Sequence, residues 1–190
     1  MPKAVHYKYQ NNHPISQAPS VNDPLAFHQV SYLNGGGGSG KSFRAISLFK
    51  NIKPLILTLT HRLAKEFRER CVDSQTYHSF FRWSGQKEWD PQVMGQKFIP
   101  RNIIWDEICT VPMPILEIFL EWLKVRDVHL VLCGDPAQPP PITGDLPHDW
   151  LKTYVNYYEE VETDYRAKDD EINILKKECV YKQTKFNVKK

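Results

Sequence analysis

Apolar stretches of strand length recur along this chain, and most are followed by a helical pattern. Phe27–Asn34 reads as a strand running into a glycine-rich turn, and Ser42–Phe49 has the apolar spacing of a helix packed on a sheet. Leu55–Thr60 is a nearly continuous apolar run, the pattern of a strand covered on both faces. His61–Arg70 then places Leu63, Ala64 and Phe67 on one side and Arg62, Lys65, Glu66, Arg68 and Glu69 on the other, with Thr60 as its cap. Val72–Thr76 reads as a short strand, Tyr77–Phe81 as the start of a helix or turn, and Trp83–Lys97 as loop. Arg101–Asp106 is a further strand, ending in the two carboxylates Asp106 and Glu107. Pro112 and Pro114 introduce a helix through Ile115–Lys124, because proline is tolerated in a first turn. Val128–Cys133 is another strand, and Gly134–Ile142, with its run of prolines, is a stiff loop. Strands alternating with helices imply an α/β fold, a parallel sheet flanked by helices with right-handed crossovers. Ligands of such sheets gather at the carboxyl ends of the strands, where these polar loops fall.

The two ends of the chain differ from this middle. Residues 1–24 mix His, Asn, Gln, Ser and Pro with few large aliphatics and are expected to form a flexible arm. The periodic region, 25–155, is expected to be one lobe. Beyond it, Val161–Arg166 reads as a strand, Asp169–Val180 as a helix, and residues 156–190 as the opening of an incomplete second lobe.

Composition narrows the classes without choosing among them. The 190 residues carry a net charge of +3, too small an excess to prove a nucleic-acid partner. No run of about twenty apolar residues occurs, and the polar start lacks the apolar core of a secretory signal, so no membrane role and an intracellular location are expected. Cys71, Cys109, Cys133 and Cys179 are far apart and include no C-x-x-C pair; free thiols are the expected state.

Chemistry concentrates in Gly35-Gly36-Gly37-Gly38-Ser39-Gly40-Lys41-Ser42, which has the form G-x-x-x-x-G-K-[ST]. Glycines let the backbone aim N–H groups at a polyphosphate, Lys41 can reach the β and γ phosphates, and Ser42 can ligate Mg²⁺. The helix that follows presents its positive end to the same anion. A run of glycines is also the composition of a linker, but linkers rarely end in Gly-Lys-Ser between a strand and a helix. A phosphate loop needs a carboxylate for Mg²⁺ and a group to activate water, and Asp106 with Glu107 supplies both types. Taken alone, an Asp-Glu pair at a strand end is as often a turn or a cap.

The order of these segments resembles the superfamily 1 DNA helicases, ATP-driven motors of two RecA-like lobes, from about Asn34 to Lys168. The glycine loop is similar to their motif I. Leu57–Thr60 with His61, Arg62, Leu63 and Ala64 is similar to motif Ia, which touches the DNA backbone, and Thr76–Phe81 resembles the Thr-x-His-Ser-Phe segment that follows it. Ile104-Trp105-Asp106-Glu107 resembles motif II, Gly134-Asp135-Pro136-Ala137-Gln138 motif III, and Asp164-Tyr165-Arg166 the start of motif IV. The resemblance implies a RecA-like P-loop NTPase fold, with the strand after Asp127 lying between the glycine-loop strand and the Asp106 strand. It implies ATP and Mg²⁺ as cofactors, Lys41 on the phosphates, Ser42 and Asp106 on the metal, Glu107 as base, Gln138 as γ-phosphate sensor and Arg166 as the arginine of the second lobe. Thr60, His61, Arg62 and His78 are the implied contacts to single-stranded nucleic acid, DNA in this family.

The chain departs from the family in two places. Pro139 stands where Leu usually follows the motif III Gln, and nothing after Arg166 resembles motifs V and VI, so a partner supplying the missing second lobe is expected. Taken singly, Arg166 is more often a surface charge, and Phe81, Trp83 and Trp89 are base-stacking or core aromatics. Three other readings stand beside the motor: a remnant that binds nucleotide without unwinding, a small P-loop kinase, and a proline-tract adaptor. The kinase reading leaves Gly134–Gln138 unexplained and lacks an arginine-rich lid.

Overall fold

A computed structural model describes residues 5–9, 29–49, 54–70, 72–85, 89–90, 94, 99–126, 128–142 and 144–162. Among these, seven strands form one sheet: β1 (Val5–Tyr9), β2 (Val30–Asn34), β3 (Leu55–Thr58), β4 (Ser74–Thr76), β5 (Asn102–Trp105), β6 (His129–Gly134) and β7 (Tyr157–Val161). Their order is β1-β7-β2-β6-β5-β3-β4, and every pairing is parallel. The helices are α1 (Lys41–Leu48), α2 (His61–Glu69), α3 (Tyr77–Phe81), α4 (Met113–Lys124) and α5 (His148–Tyr154), with a 3-10 turn at Ile108–Thr110. This is the RecA-like α/β architecture expected. β6 lies between β2 and β5, as the resemblance implied.

Alternation along the buried strands sorts side chains onto two faces. Leu33, Ile56, Ile104, Val131 and Cys133 pack with Ala45 of α1 and Phe67 of α2. Tyr32, Leu57, Trp105 and Leu132 face the other way, onto Phe80, Phe81, Phe119 and Leu151 of α3, α4 and α5. The sheet is therefore the middle of three layers, and no strand between β7 and β3 has a wet face. Within the aromatic layer Phe81 stacks on Phe119 at 3.8 Å, and Trp89 Nε1 donates to Phe81 O over 2.6 Å. Phe81 is fully buried and Trp89 nearly so, which makes both rings core and removes them from the base-stacking candidates. Burying one such ring contributes on the order of 1.5–3 kcal/mol.

The helix starts follow their sequence cues. Thr60 Oγ1 accepts from Leu63 N at the head of α2, and Thr76 Oγ1 accepts from Ser79 N at the head of α3. Pro114 sits in the first turn of α4, where a missing N–H costs nothing.

The margins differ from the sequence reading. The strand expected at Val161–Arg166 begins four residues earlier, at Tyr157, and pairs with β2 (Ser31 with Tyr157, Asn34 with Glu160). Residues Tyr157–Val161 are thus part of the same sheet as the phosphate-loop strand. Polar residues hid this strand. Glu159 is fully buried, held by Arg44 of α1 at 2.8 Å and by the Tyr157 hydroxyl at 2.9 Å, so a carboxylate occupies a core position. Within the expected arm, Val5–Tyr9 is a strand on the outer side of β7. Arg166, the expected helix Asp169–Val180 and the rest of the arm lie outside the described residues.

Candidate active site

β2 delivers the chain to the phosphate loop. Gly35 N donates to Gly134 O over 3.1 Å, so the loop starts hydrogen-bonded to the end of β6. A Cβ at Gly35 would lie 2.5 Å from Val161 O and 2.9 Å from Ser39 Oγ, and only glycine fits that approach. Gly38 and Gly40 have φ of 89° and 86°, the left-handed region that side chains disfavour. The loop wraps the Lys41 ammonium, which donates to Gly35 O at 2.6 Å, Gly36 O at 2.8 Å and Ser39 Oγ at 3.2 Å. Gly36 is exposed and nothing lies within 4 Å of where its Cβ would be, so the backbone there is open to a phosphate.

The carboxylates arrive from β5. Asp106 N donates to Leu57 O over 2.8 Å, which anchors the turn that follows the strand to β3. Ser42 Oγ donates to Asp106 Oδ2 over 3.0 Å, and Asp106 Oδ1 accepts from Glu107 N at 3.1 Å. Octahedral Mg²⁺ holds its ligands at 2.0–2.1 Å, so adjacent ligand oxygens stand about 2.9 Å apart. The Ser42–Asp106 oxygen separation matches that edge, and the two groups fit a shared Mg²⁺.

Glu107 sits at φ 56°, ψ 37°, a left-handed conformation that costs a non-glycine residue roughly 1 kcal/mol. From there its side chain reaches Gln138, whose Nε2 donates to Glu107 Oε1 at 3.4 Å. Gln138 Oε1 is buried and finds no hydrogen-bond partner among the described residues. Burial raises the affinity of the Glu107 carboxylate for a proton, the negative charge of Asp106 adds to the effect, and Gln138 and Lys41 oppose it. Asp135, at the start of the Gln138 loop, is buried and accepts from Ala137 N at 2.9 Å, which closes a tight turn. Lys41, Ser42, Asp106, Glu107 and Gln138 are therefore brought together at the carboxyl edge of β2, β5 and β6. A donor set of one ammonium, one hydroxyl, two carboxylates and one amide around open loop backbone suits a bound polyphosphate and an activated water.

The expected nucleic-acid residues lie at the ends of β3 and β4 on the same edge. Thr60 spends its side chain on the α2 cap, while His61 and Arg62 are exposed; Arg62 also pairs with Glu66 at 3.2 Å. His78 is half-buried between Tyr77, 4.1 Å away, and Trp83, with which it stacks at 5.0 Å and an interplanar angle of 2°. Burial lowers the His78 pKa, and the neighbouring His61 lowers it further, so these two imidazoles are close enough to sense one another. Trp83 remains half-exposed, a flat ring beside His78.

Two groups near the site carry no motif signal. One is the Arg44–Glu159 pair beneath the phosphate-loop helix, which nothing in the polar Tyr157–Glu160 stretch singles out. The other is a buried chain in which the Tyr32 hydroxyl bonds His148 Nδ1 at 2.8 Å and Cys109 Sγ at 3.3 Å.

Comparison with known proteins gives consistent results. A family described as "AAA domain" matches residues 17–144. The chain is similar to the ATP-dependent DNA helicase Pif1 of Bdellovibrio bacteriovorus, 28% identical over 163 residues, 73% of this chain and 36% of that protein. It thus spans about a third of the length of that curated relative. Among solved structures, unliganded Pif1 from Bacteroides sp aligns with a TM-score of 0.50 at 21% identity, covering 77% of this chain and 41% of the other. The Bacteroides Pif1 helicase in complex with ADP-AlF3 and ssDNA aligns with a TM-score of 0.53 at 22% identity, with coverages of 77% and 41%. At these identities the structural likeness is one of fold.

Proposed function

We propose that this chain, which belongs to the AAA domain family and has the fold of the first lobe of a superfamily 1 DNA helicase, binds and hydrolyses ATP and couples hydrolysis to movement on single-stranded DNA. The observation that carries the reading is the convergence of Ser42 on Asp106 and of Gln138 on Glu107 at one sheet edge, beside the open glycine loop. Loop N–H groups and Lys41 hold the β and γ phosphates; Lys41 trades its carbonyl partners for phosphate oxygens as the nucleotide enters. Mg²⁺, held by Ser42 and Asp106, neutralises phosphate charge when bound. Glu107 orients and deprotonates the water for in-line attack on the γ phosphate, and Gln138 reports the presence of that phosphate to the loop it sits on. Arg166 takes the role of the γ-phosphate arginine when a second lobe, in a longer chain or from a partner, closes on the site.

Single-stranded DNA lies along the β3–β4 end of the edge. Arg62 and the head of α2 face its phosphates, and Trp83 with His78 offers a stacking platform for a base. The helix dipole at the head of α2 adds to the attraction. Movement requires two lobes that close and open with nucleotide state. ATP turnover measured with and without oligo-dT tests the reading: several-fold stimulation by the oligonucleotide is expected. Turnover that single-stranded DNA leaves unchanged would replace the motor with a nucleotide-binding remnant, and phosphate transfer to a nucleoside would favour a kinase.

Among the described residues no helix is long and apolar enough to cross a membrane.

A further inference from the structure

Three segments carry the proposed catalytic groups: β2 leading into the phosphate loop, the turn after β5 that holds Glu107, and the Gly134–Gln138 loop. They meet at one buried atom, the Tyr32 hydroxyl. Tyr32 is fully buried on β2. Its hydroxyl lies 3.3 Å from the sulfur of Cys109, two residues beyond Glu107 in a 3-10 turn whose backbone folds onto Glu107 O through Thr110 N at 3.0 Å. Cys109 Sγ in turn accepts a hydrogen bond from the Asp135 backbone. Gly134 packs directly on the same group, since a Cβ there would be 2.7 Å from the Tyr32 hydroxyl and 2.8 Å from Cys109 Sγ. The hydroxyl is completed by His148 Nδ1 of α5 at 2.8 Å. A phenol has one proton to give and lone pairs to receive, so it donates to one neighbour and accepts from the other. None of these side chains belongs to the nucleotide motifs.

We propose that the Tyr32 hydroxyl, held between His148 and Cys109, is a positioning group that fixes the Glu107 turn and the Gly134–Gln138 loop against the strand feeding the phosphate loop. The inference rests on the ATPase reading above. Its physical basis is the cost of an alternative: any shift of the Glu107 turn separates Cys109 from Tyr32 and leaves buried polar atoms unpaired, which the fold resists. The chain is uncharged throughout, because burial keeps the Cys109 thiol protonated, with its pKa pushed up to about 11, and holds the His148 imidazole neutral. An uncharged strut sets distance without adding charge to the phosphate site. Misplacing a base by a fraction of an ångström slows chemistry far more than it weakens substrate binding.

The test compares Tyr32→Phe, Cys109→Ala and Cys109→Ser with the wild-type chain. Each is assayed for ATP turnover, for affinity toward a fluorescent ATP analogue, and for amide hydrogen exchange. Tyr32→Phe and Cys109→Ala are expected to lower kcat by about tenfold or more with KM for ATP within about twofold, as expected for lost positioning. Exchange should quicken in residues 108–111 and 135–138 and stay unchanged in β3 and β4. Cys109→Ser, which keeps a polar hydrogen at the same place, should restore wild-type turnover. Unchanged kcat in Tyr32→Phe, or a fall in turnover and affinity together with faster exchange across the whole sheet, would overturn the proposal. Should the wild-type chain itself fail to hydrolyse ATP, the ATPase reading falls. The exchange pattern then decides alone: quickening confined to the two segments supports the strut, and none refutes it.

Discussion

Ser42 Oγ donates to Asp106 Oδ2 over 3.0 Å, tying the first turn of α1 to the end of β5. This is the separation of neighbouring ligands around Mg²⁺, so nucleotide affinity should depend on the metal through these two groups. With a fluorescent ATP analogue, wild-type affinity is expected to fall when EDTA replaces Mg²⁺, whereas Ser42→Ala and Asp106→Asn should bind more weakly and respond little to EDTA. An undiminished Mg²⁺ response in both variants would remove them from the metal site.

Gly35 and Gly36 are neighbours in the loop but differ sharply in the room around them. A methyl group at Gly35 meets Val161 O at 2.5 Å, and one at Gly36 meets nothing within 4 Å. Gly35→Ala should destabilise the fold by roughly 1–3 kcal/mol, the usual cost of overpacking against backbone, and weaken nucleotide binding. Gly36→Ala should leave the denaturation midpoint unchanged. Equal midpoints for the two variants would contradict the close approach of the loop to β7.

His148 is buried and its pKa is lowered to about 4, chiefly by burial and then by Lys152, with Asp149 opposing. Tyr32 and Tyr158 are the other titratable groups that face it, Cys109 lies behind the Tyr32 hydroxyl, and burial keeps each protonated. In the unfolded chain a histidine takes up its proton near pH 6.5. As pH falls from 6.5 toward 4 the unfolded state therefore binds a proton that the folded state refuses, and stability declines over that window by up to about 3 kcal/mol. Urea denaturation at pH 7 and pH 5 should show His148→Gln losing less stability than wild type between the two. An equal loss would mean that His148 titrates normally.

The parts of the fold legible in sequence lie in uninterrupted patterns. Leu55–Thr58, Asn102–Trp105 and His129–Gly134 are largely apolar because both faces of each strand are covered; Asp106 follows a strand end directly, and Lys41 and Gln138 close or sit on the loops that leave strand ends. β7 was missed because Tyr157, Tyr158, Glu159 and Glu160 look like surface, although Arg44 neutralises the one carboxylate that the core takes in. Trp89 stays undecided in sequence because a ring in a loop-like stretch has the same signature whether it faces a base or, as here, donates to Phe81 O and packs on Phe119. The Tyr32–Cys109–His148 chain joins residues far apart along the sequence and has no spacing to betray it.

The assignment of Glu107 as the base is the centre of the account, and single-turnover hydrolysis of Mg²⁺-ATP by wild type and Glu107→Gln tests it most directly. The substitution keeps shape and hydrogen bonding to Gln138 while removing the base. The account predicts that Glu107→Gln retains bound ATP at wild-type affinity but loses hydrolysis by about a hundredfold or more, the usual weight of a general base. Wild-type turnover in Glu107→Gln would contradict it.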